Sequence, residues 1–246
     1  MNNSVLTISL ANLALSFLPV LLVIVILWNW SLHYRNAIYA VFRMLIQLML
    51  IGYLLTYIFK SDNALIVMVV VVVMIFASSW IALGTVGNQR KKLYLKALCS
   101  IGFGGGIILI LVTEGVLKLE PWYFPQYMIP LAGMIFANAM NCVSLSAERF
   151  MAEFRTGQDY EQARNTAFNA SLIPNINSLF AVGLVSLPGM MTGQILSGVD
   201  PLIAARYQIM VMCMIFGSAG ISTALFLVLI RSDLMDQKQA TSTTGQ

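Results

Sequence analysis

Apolar residues run along this chain in seven long stretches separated by short polar connections. They lie near residues 6–28, 37–59, 64–85, 97–117, 127–147, 175–196 and 203–230. Each holds about 20 residues, the length a helix needs to cross the hydrocarbon of a bilayer. Leu65–Phe76 is so rich in valine that in water it would read as a strand. In lipid an open sheet edge leaves backbone groups unsatisfied, so a helix is the form available. The pattern predicts an all-α, polytopic membrane protein with about seven transmembrane helices. The first stretch is read as a retained helix, because no basic residue precedes it and its apolar run is longer than a usual signal-peptide core.

Composition agrees with lipid as the solvent. Of 246 residues, 59% are hydrophobic and 10% charged, and mean hydropathy is +0.83; soluble domains carry about 25% charged residues. The net charge of +4 does not point to nucleic acid, because the basic residues sit in short clusters between apolar runs. Alternate connections hold Arg35; Arg90, Lys91, Lys92 and Lys96; Arg149, Arg155 and Arg164; and Arg231 with Lys238. The opposite connections hold Lys60 and Lys118 beside Asp62, Glu114, Glu120 and Asp200. The positive-inside rule then predicts an N-terminus outside and a C-terminus in the cytoplasm. The expected organisation is a single transmembrane domain over residues 1–246, with a cytoplasmic segment at 148–173 and a disordered tail at 234–246.

Soluble-enzyme chemistry has little footing. The one histidine, His33, excludes a multi-histidine metal site within one chain. Cys99, Cys142 and Cys213 form no C-x-x-C pair and are read as buried, inert thiols. Gly102-Phe-Gly-Gly-Gly106 lacks the spacing of a phosphate loop and lies inside an apolar run, so close helix packing is the expectation there. No Walker-type lysine motif and no G-x-S-x-G or H-E-x-x-H occurs. The chain is expected to be no enzyme and to bind no cofactor of its own.

Polar side chains at membrane depth are costly and need a partner or a wet cavity. Arg43 and Gln47, four residues apart, share one helix face, and Arg43 either snorkels to the headgroups or faces the bundle. Asn138 and Asn141 share another face, for hydrogen bonding between helices or for a pathway. Pro188, with Gly189 and Gly193, predicts a break in the sixth stretch, either a packing kink or a broken helix lining a pathway. Met190 and Met191 offer soft sulfur to a metal or simply fill gaps, and Gln194 is the polar residue beyond them. Residues 148–173 read as two short helical pieces around a glycine turn at Gly157. Phe150, Met151, Phe154 and Tyr160 there suit docking on another protein or lying on headgroups.

Several stretches resemble the FetB-type permeases, membrane subunits of a small ATP-binding-cassette (ABC) transporter associated with iron export. The likeness is carried by Arg43-Met-Leu-Ile-Gln47-Leu48, Ile129-Pro130-Leu-Ala132-Gly133, Asn138-Ala139-Met140 and Leu172-Ile-Pro174. The longest run is Val182-Gly-Leu-Val-Ser-Leu-Pro-Gly-Met-Met-Thr-Gly-Gln-Ile195. The resemblance implies a multi-pass permease of the inner membrane, dimeric, and paired with a separate ABC ATPase that binds ATP and Mg. It implies a coupling role for 148–173, in which Glu153, Gly157, Gln162 and Ala163 match the family spacing. The segment is shorter here than in the family's bacterial members. Arg43, Gln47, Asn138, Asn141, Pro188, Gly189, Met190, Met191 and Gln194 remain the pathway or hinge candidates. The implied cargo is a metal ion such as iron, with a non-metal substrate or an ion-driven secondary transporter as the alternatives.

Overall fold

A computed structural model describes residues 8–59 and 63–243, with side chains through Arg231 except that of Asn88. Among them the regular structure is all helix, with no strand beyond one isolated bridge. It divides into two compact units, residues 1–61 and 62–246, where the sequence is read as one domain.

The first unit holds α1 (Leu10–Leu15), α2 (Leu18–Asn29) and α3 (Tyr34–Ile58). Ser9 caps α1 by accepting from the Asn12 amide at 3.2 Å. α2 packs on α3. Ile58 is the one buried residue described in this unit. Leu, Ile and Val side chains therefore cover its outside, which only lipid or another chain can solvate without cost.

The second unit begins with α4 (Ala64–Ala82), a 3-10 segment (Leu83–Gln89), α5 (Arg90–Ile110) and a π-helical segment (Leu111–Leu117). α6 (Pro125–Arg155), α7 (Tyr160–Ala181), α8 (Gly189–Leu196) and α9 (Pro201–Thr243) follow. α6 lies at the centre, packed on α4, α5, α7 and α9. Ile135 and Phe136 of α6 and Phe226, Leu227 and Ile230 of α9 are among the best-buried large side chains of this unit. The valine-rich stretch is helix α4, as lipid requires.

Small residues let these helices approach closely. A β-carbon placed on Gly104 of α5 would lie 2.9 Å from the Ser222 nitrogen and 3.0 Å from its Cα on α9. One on Gly105 would lie 2.7 Å from the Phe136 ring of α6. The glycine run is thus a packing device at Gly104 and Gly105, whereas Gly106 has open space. Several buried hydroxyls bond within their own helices, as when Ser79 donates to the Ile75 carbonyl at 2.7 Å and Thr113 to Leu109 at 2.9 Å, whereas those of Ser222 and Thr223 on α9 have no partner among the described residues. Arg90 closes the end of α4: its guanidinium donates to the Trp80 carbonyl and lies 3.8 Å over the Trp80 ring.

Six helical stretches among the described residues are long and apolar enough to cross a membrane: Leu10–Asn29, Tyr34–Ile58, Ala64–Gly87, Arg90–Leu117, Pro125–Arg155 and Pro201–Arg231. The predicted crossing at 175–196 is not one helix. α7 ends at Ala181, residues 182–188 are non-helical, and α8 spans 8 residues, about 12 Å. What runs back along α6 is α7, whose 22 residues measure about 33 Å. Its start packs on Phe150, its middle on Cys142 and its later turns beside Asn138. The thiols also differ from expectation: Cys142 is buried, but Cys99 and Cys213 lie on the exposed helix surface. α9 continues as helix to Thr243; the tail expected from 234 falls on residues described by backbone alone to 243, and 244–246 lie outside the described residues.

Candidate functional site

The polar segment at 148–173 is the tip and second arm of a helical hairpin rather than two short helices. α6 ends at Arg155 and α7 starts at Tyr160, joined by Thr156–Asp159. Gly157 sits at φ +91°, a region L side chains reach only with strain. Its amide donates to the Phe154 carbonyl at 3.2 Å and that of Gln158 to Glu153 at 3.4 Å. Those are the two bonds of a Schellman cap. Asp159 then opens α7, accepting from the Gln162 amide at 2.8 Å. Glycine stops one helix and aspartate starts the next.

The four residues expected to meet a partner fall in different surroundings. Glu153 is tied to Arg149 one turn back at 2.5 Å. Gly157 and Gln162 are exposed, whereas Ala163 is fully buried. The aromatic residues expected to meet a partner or the headgroups are instead buried, as Phe150 is, or half-buried, as Phe154 and Tyr160 are. Phe150 is 0% exposed and lies 5.8 Å from Phe154 and 5.9 Å from Tyr160, centroid to centroid. The Tyr160 hydroxyl donates to the Leu227 carbonyl of α9 at 2.8 Å, and Arg231 lies 5.3 Å over its ring. The hairpin tip is therefore clasped to α9 around Leu227–Arg231. Beside it, an open groove of about 390 Å³ runs between the 3-10 segment (Thr85, Gly87, Gln89) and α6 (Glu148, Met151, Arg155).

The break lies earlier and is wider than the proline predicts. Val182 is extended, Gly183 has φ +82°, and the Ala181 carbonyl accepts from Leu184, Val185 and Ser186. Pro188, at φ −62° and ψ 145°, is the N-cap of α8 and kinks no helix. Gly189 is the first residue of α8, and Met190 and Met191 are half-buried on it. Gln194 Oε1 is buried with no partner among the described residues.

Asn138 and Asn141 are separated by the packing. Asn141 is exposed, while Asn138 faces a cavity of about 120 Å³ between α6, α7 and α9. Two residues not singled out from sequence, Asn175 and Ser178 of α7, line it with Asn138. Arg43 and Gln47 are both exposed on α3 of the first unit. Among the described residues no group of three or more His, Cys, Asp or Glu could hold a metal.

Residues 10–235 match the family model described as "Uncharacterised protein family (UPF0014)". The chain belongs to the UPF0014 family. It is 35% identical to the Synechocystis "UPF0014 membrane protein slr1647" over 212 residues, 80% of this chain and 82% of that one. It is 34% identical to the Escherichia coli K12 "Probable iron export permease protein FetB" over 235 residues, 87% of each. The Arabidopsis thaliana "Protein ALUMINUM SENSITIVE 3" is 31% identical over 226 residues, 85% of this chain and 81% of the relative. No solved structure matches the chain. UPF0014 membership together with six apolar helices makes this a multi-pass membrane protein.

Proposed function

We propose that the chain is the permease subunit of an ABC transporter that exports a metal ion, driven by a separate ATPase. The observation that carries this is the α6–α7 tip: a capped turn flanked by an open groove and joined through Tyr160 to α9. The basic residues around it, Arg90, Arg149, Arg155 and Arg231, support a cytoplasmic position for this end, where ATP is available. α7 then supplies the seventh crossing. The name of the E. coli relative, a probable iron export permease, favours a permease and an exported metal.

In this reading two copies of the chain enclose the path, and each tip seats on one ATPase, which binds ATP and Mg. Closure of the ATPases moves the tips together. Because Tyr160 holds α7 to α9, the push reaches both helices, and the interrupted backbone at Val182–Pro188 takes up the bend. ATP binding must favour one state over the other by differential contact, and the tip is where that contact is made.

The test is to purify the chain with any ABC ATPase encoded beside it and to measure ATP hydrolysis in liposomes with and without added metals. Stimulation by a metal supports the reading; turnover indifferent to every metal removes the metal cargo. Gly157→Pro narrows the test. Proline fixes φ near −65° and removes the amide that bonds Phe154, so membrane insertion should persist while coupling is lost. Unchanged coupled transport in that variant would take the tip out of the mechanism.

A further inference from the structure

We propose that two copies of the chain meet along one face of α7, as a parallel, in-register pair of helices. This rests on the permease reading, in which α7 is a crossing, and names the surface that joins the copies.

α7 packs one side against the second unit. Ala163, Ala167, Ser171 and Leu172 are buried there, and the Asn175 side-chain nitrogen donates to the Cys142 sulfur of α6 at 3.4 Å. The opposite side holds a row of Gln162, Thr166, Asn169, Ile173, Ile176 and Phe180, all exposed except the half-buried Thr166. Successive members lie 4, 3, 4, 3 and 4 residues apart. That alternation averages 3.5 residues, the repeat of a helix that packs along its length on another helix.

Depth argues against lipid as the cover. Ser178 lines one cavity with Asn138, which stands 13 residues after Pro125 and 17 before Arg155. The neighbouring Asn177, exposed at the edge of the row, is therefore near the middle of the α6 span. Asn169 lies about two turns nearer the tip. Neither amide has a hydrogen-bond partner among the described residues. Between them Pro174 has no N–H to give the half-buried Ala170 carbonyl. Facing hydrocarbon, such groups stay unbonded at a cost in free energy.

The row is complementary to itself. From Asn165 to Ala181 the helix carries no charged residue, so two such faces meet without repulsion. An amide donates and accepts at once, so each asparagine can satisfy its own counterpart. Two copies inserted with one topology are related by an axis along the membrane normal. Their α7 helices then run parallel, and each residue of the row meets the same residue of the other copy. Asn169, a polar member among apolar ones, fixes that register. α2 and α3 carry one amide away from their ends, Gln47, whereas a second α7 brings both asparagines at the right heights. The row starts at the tip that the ATPase moves, so a push there slides or tilts one α7 against the other.

The test uses the full chain with Cys99→Ser and Cys213→Ser, leaving Cys142 buried. Asn169→Cys, Ile173→Cys and Ile176→Cys, made singly and oxidised in membranes, should each link two copies by a disulfide. Ser178→Cys on the far side of α7 and Phe103→Cys on α5, both exposed, should not. In a cysteine-independent readout, subunit FRET on dilution into lipid, Asn169→Leu with Asn177→Leu should weaken dimerisation by about tenfold. Linking at Ser178 or Phe103 as strong as along the row, or an unchanged FRET midpoint, would each overturn the proposal. So would three unlinked cysteines that react with a water-soluble maleimide, marking an aqueous wall, or with a lipid-dissolved one, marking bilayer. A disulfide from Ile176→Cys to Gln47→Cys within one chain would give the face to the first unit instead. The two readings fail separately: linking along the row in a chain that engages no ATPase removes the permease and keeps the seam. Metal-stimulated ATP hydrolysis in a chain that never links there removes the seam and keeps the permease.

Discussion

Gly104 and Gly106 sit two residues apart on α5, yet the packing gives them opposite expectations. A methyl on Gly104 would reach the backbone of Ser222 at 2.9 and 3.0 Å, where unstrained contacts lie at about 3.5–4.0 Å. The Ser222 hydroxyl can rotate aside; its nitrogen and Cα cannot. α5 and α9 would have to part by roughly 0.5–1 Å along a seam that includes Ile101, Ile108, Ala219 and Phe226. Overpacking of this kind costs about 1–3 kcal/mol, partly offset by the helix preference of alanine, up to about 1 kcal/mol. The net loss for Gly104→Ala is about 1–2 kcal/mol, which lowers the melting temperature by roughly 2–8 °C in a chain of this size. Gly106→Ala meets nothing within 4 Å and keeps only the gain, up to about 2–4 °C upward. Fluorescence-detected size exclusion after heating reads both variants in one detergent. Equal shifts of the same sign, or an unshifted Gly104→Ala, would refute the close α5–α9 approach.

Other substitutions probe the tip and the end of α4. Gly157→Ala must hold φ +91° with a side chain and should cost about 1–2 kcal/mol, seen as faster amide exchange at 154–160. Asp159→Ala removes the cap on the Gln162 amide and should cost about 1 kcal/mol, with exchange rising in the first turn of α7 alone. Tyr160→Phe deletes the bond to the Leu227 carbonyl; it should cost about 1 kcal/mol and lower transport per ATP more than ATPase binding. Arg90→Lys keeps the charge but loses the two-pronged bond and ring stacking at Trp80. Its topology by cysteine labelling should be unchanged while its melting temperature falls by a few degrees.

The helices were legible because lipid demands long apolar runs, and six of the predicted stretches match helices of the structure. The sixth misled for a physical reason. Hydropathy sees the apolar run across Pro188 but not the polar helix before it, because Asn165, Asn169, Asn175 and Asn177 lower its score. The true boundaries were nevertheless written locally: Gly157 and Asp159 at the start, and Val182-Gly183 as a stop. Proline served as an N-cap, a role its extended ψ allows as readily as a kink. Phe150 and Tyr160 were read as facing a partner or headgroups because their burial depends on the hairpin folding back, which no local pattern states. Asn175 and Ser178 went unnoticed beside Asn138 because 37 and 40 positions of chain separate them, and only the antiparallel run of α7 along α6 joins them.

The amide-bearing α7 has a consequence for biogenesis. A segment with four asparagines among its 22 residues is a poor substrate for the translocon by itself, since each exposed amide opposes partition into oil. The turn at 156–159 is too short to leave it waiting in water while α6 enters. On the proposed reading of α7 as the seventh crossing, synthesis would deliver the two arms as a pair, with the newborn helix sheltered against its predecessor as it enters the bilayer.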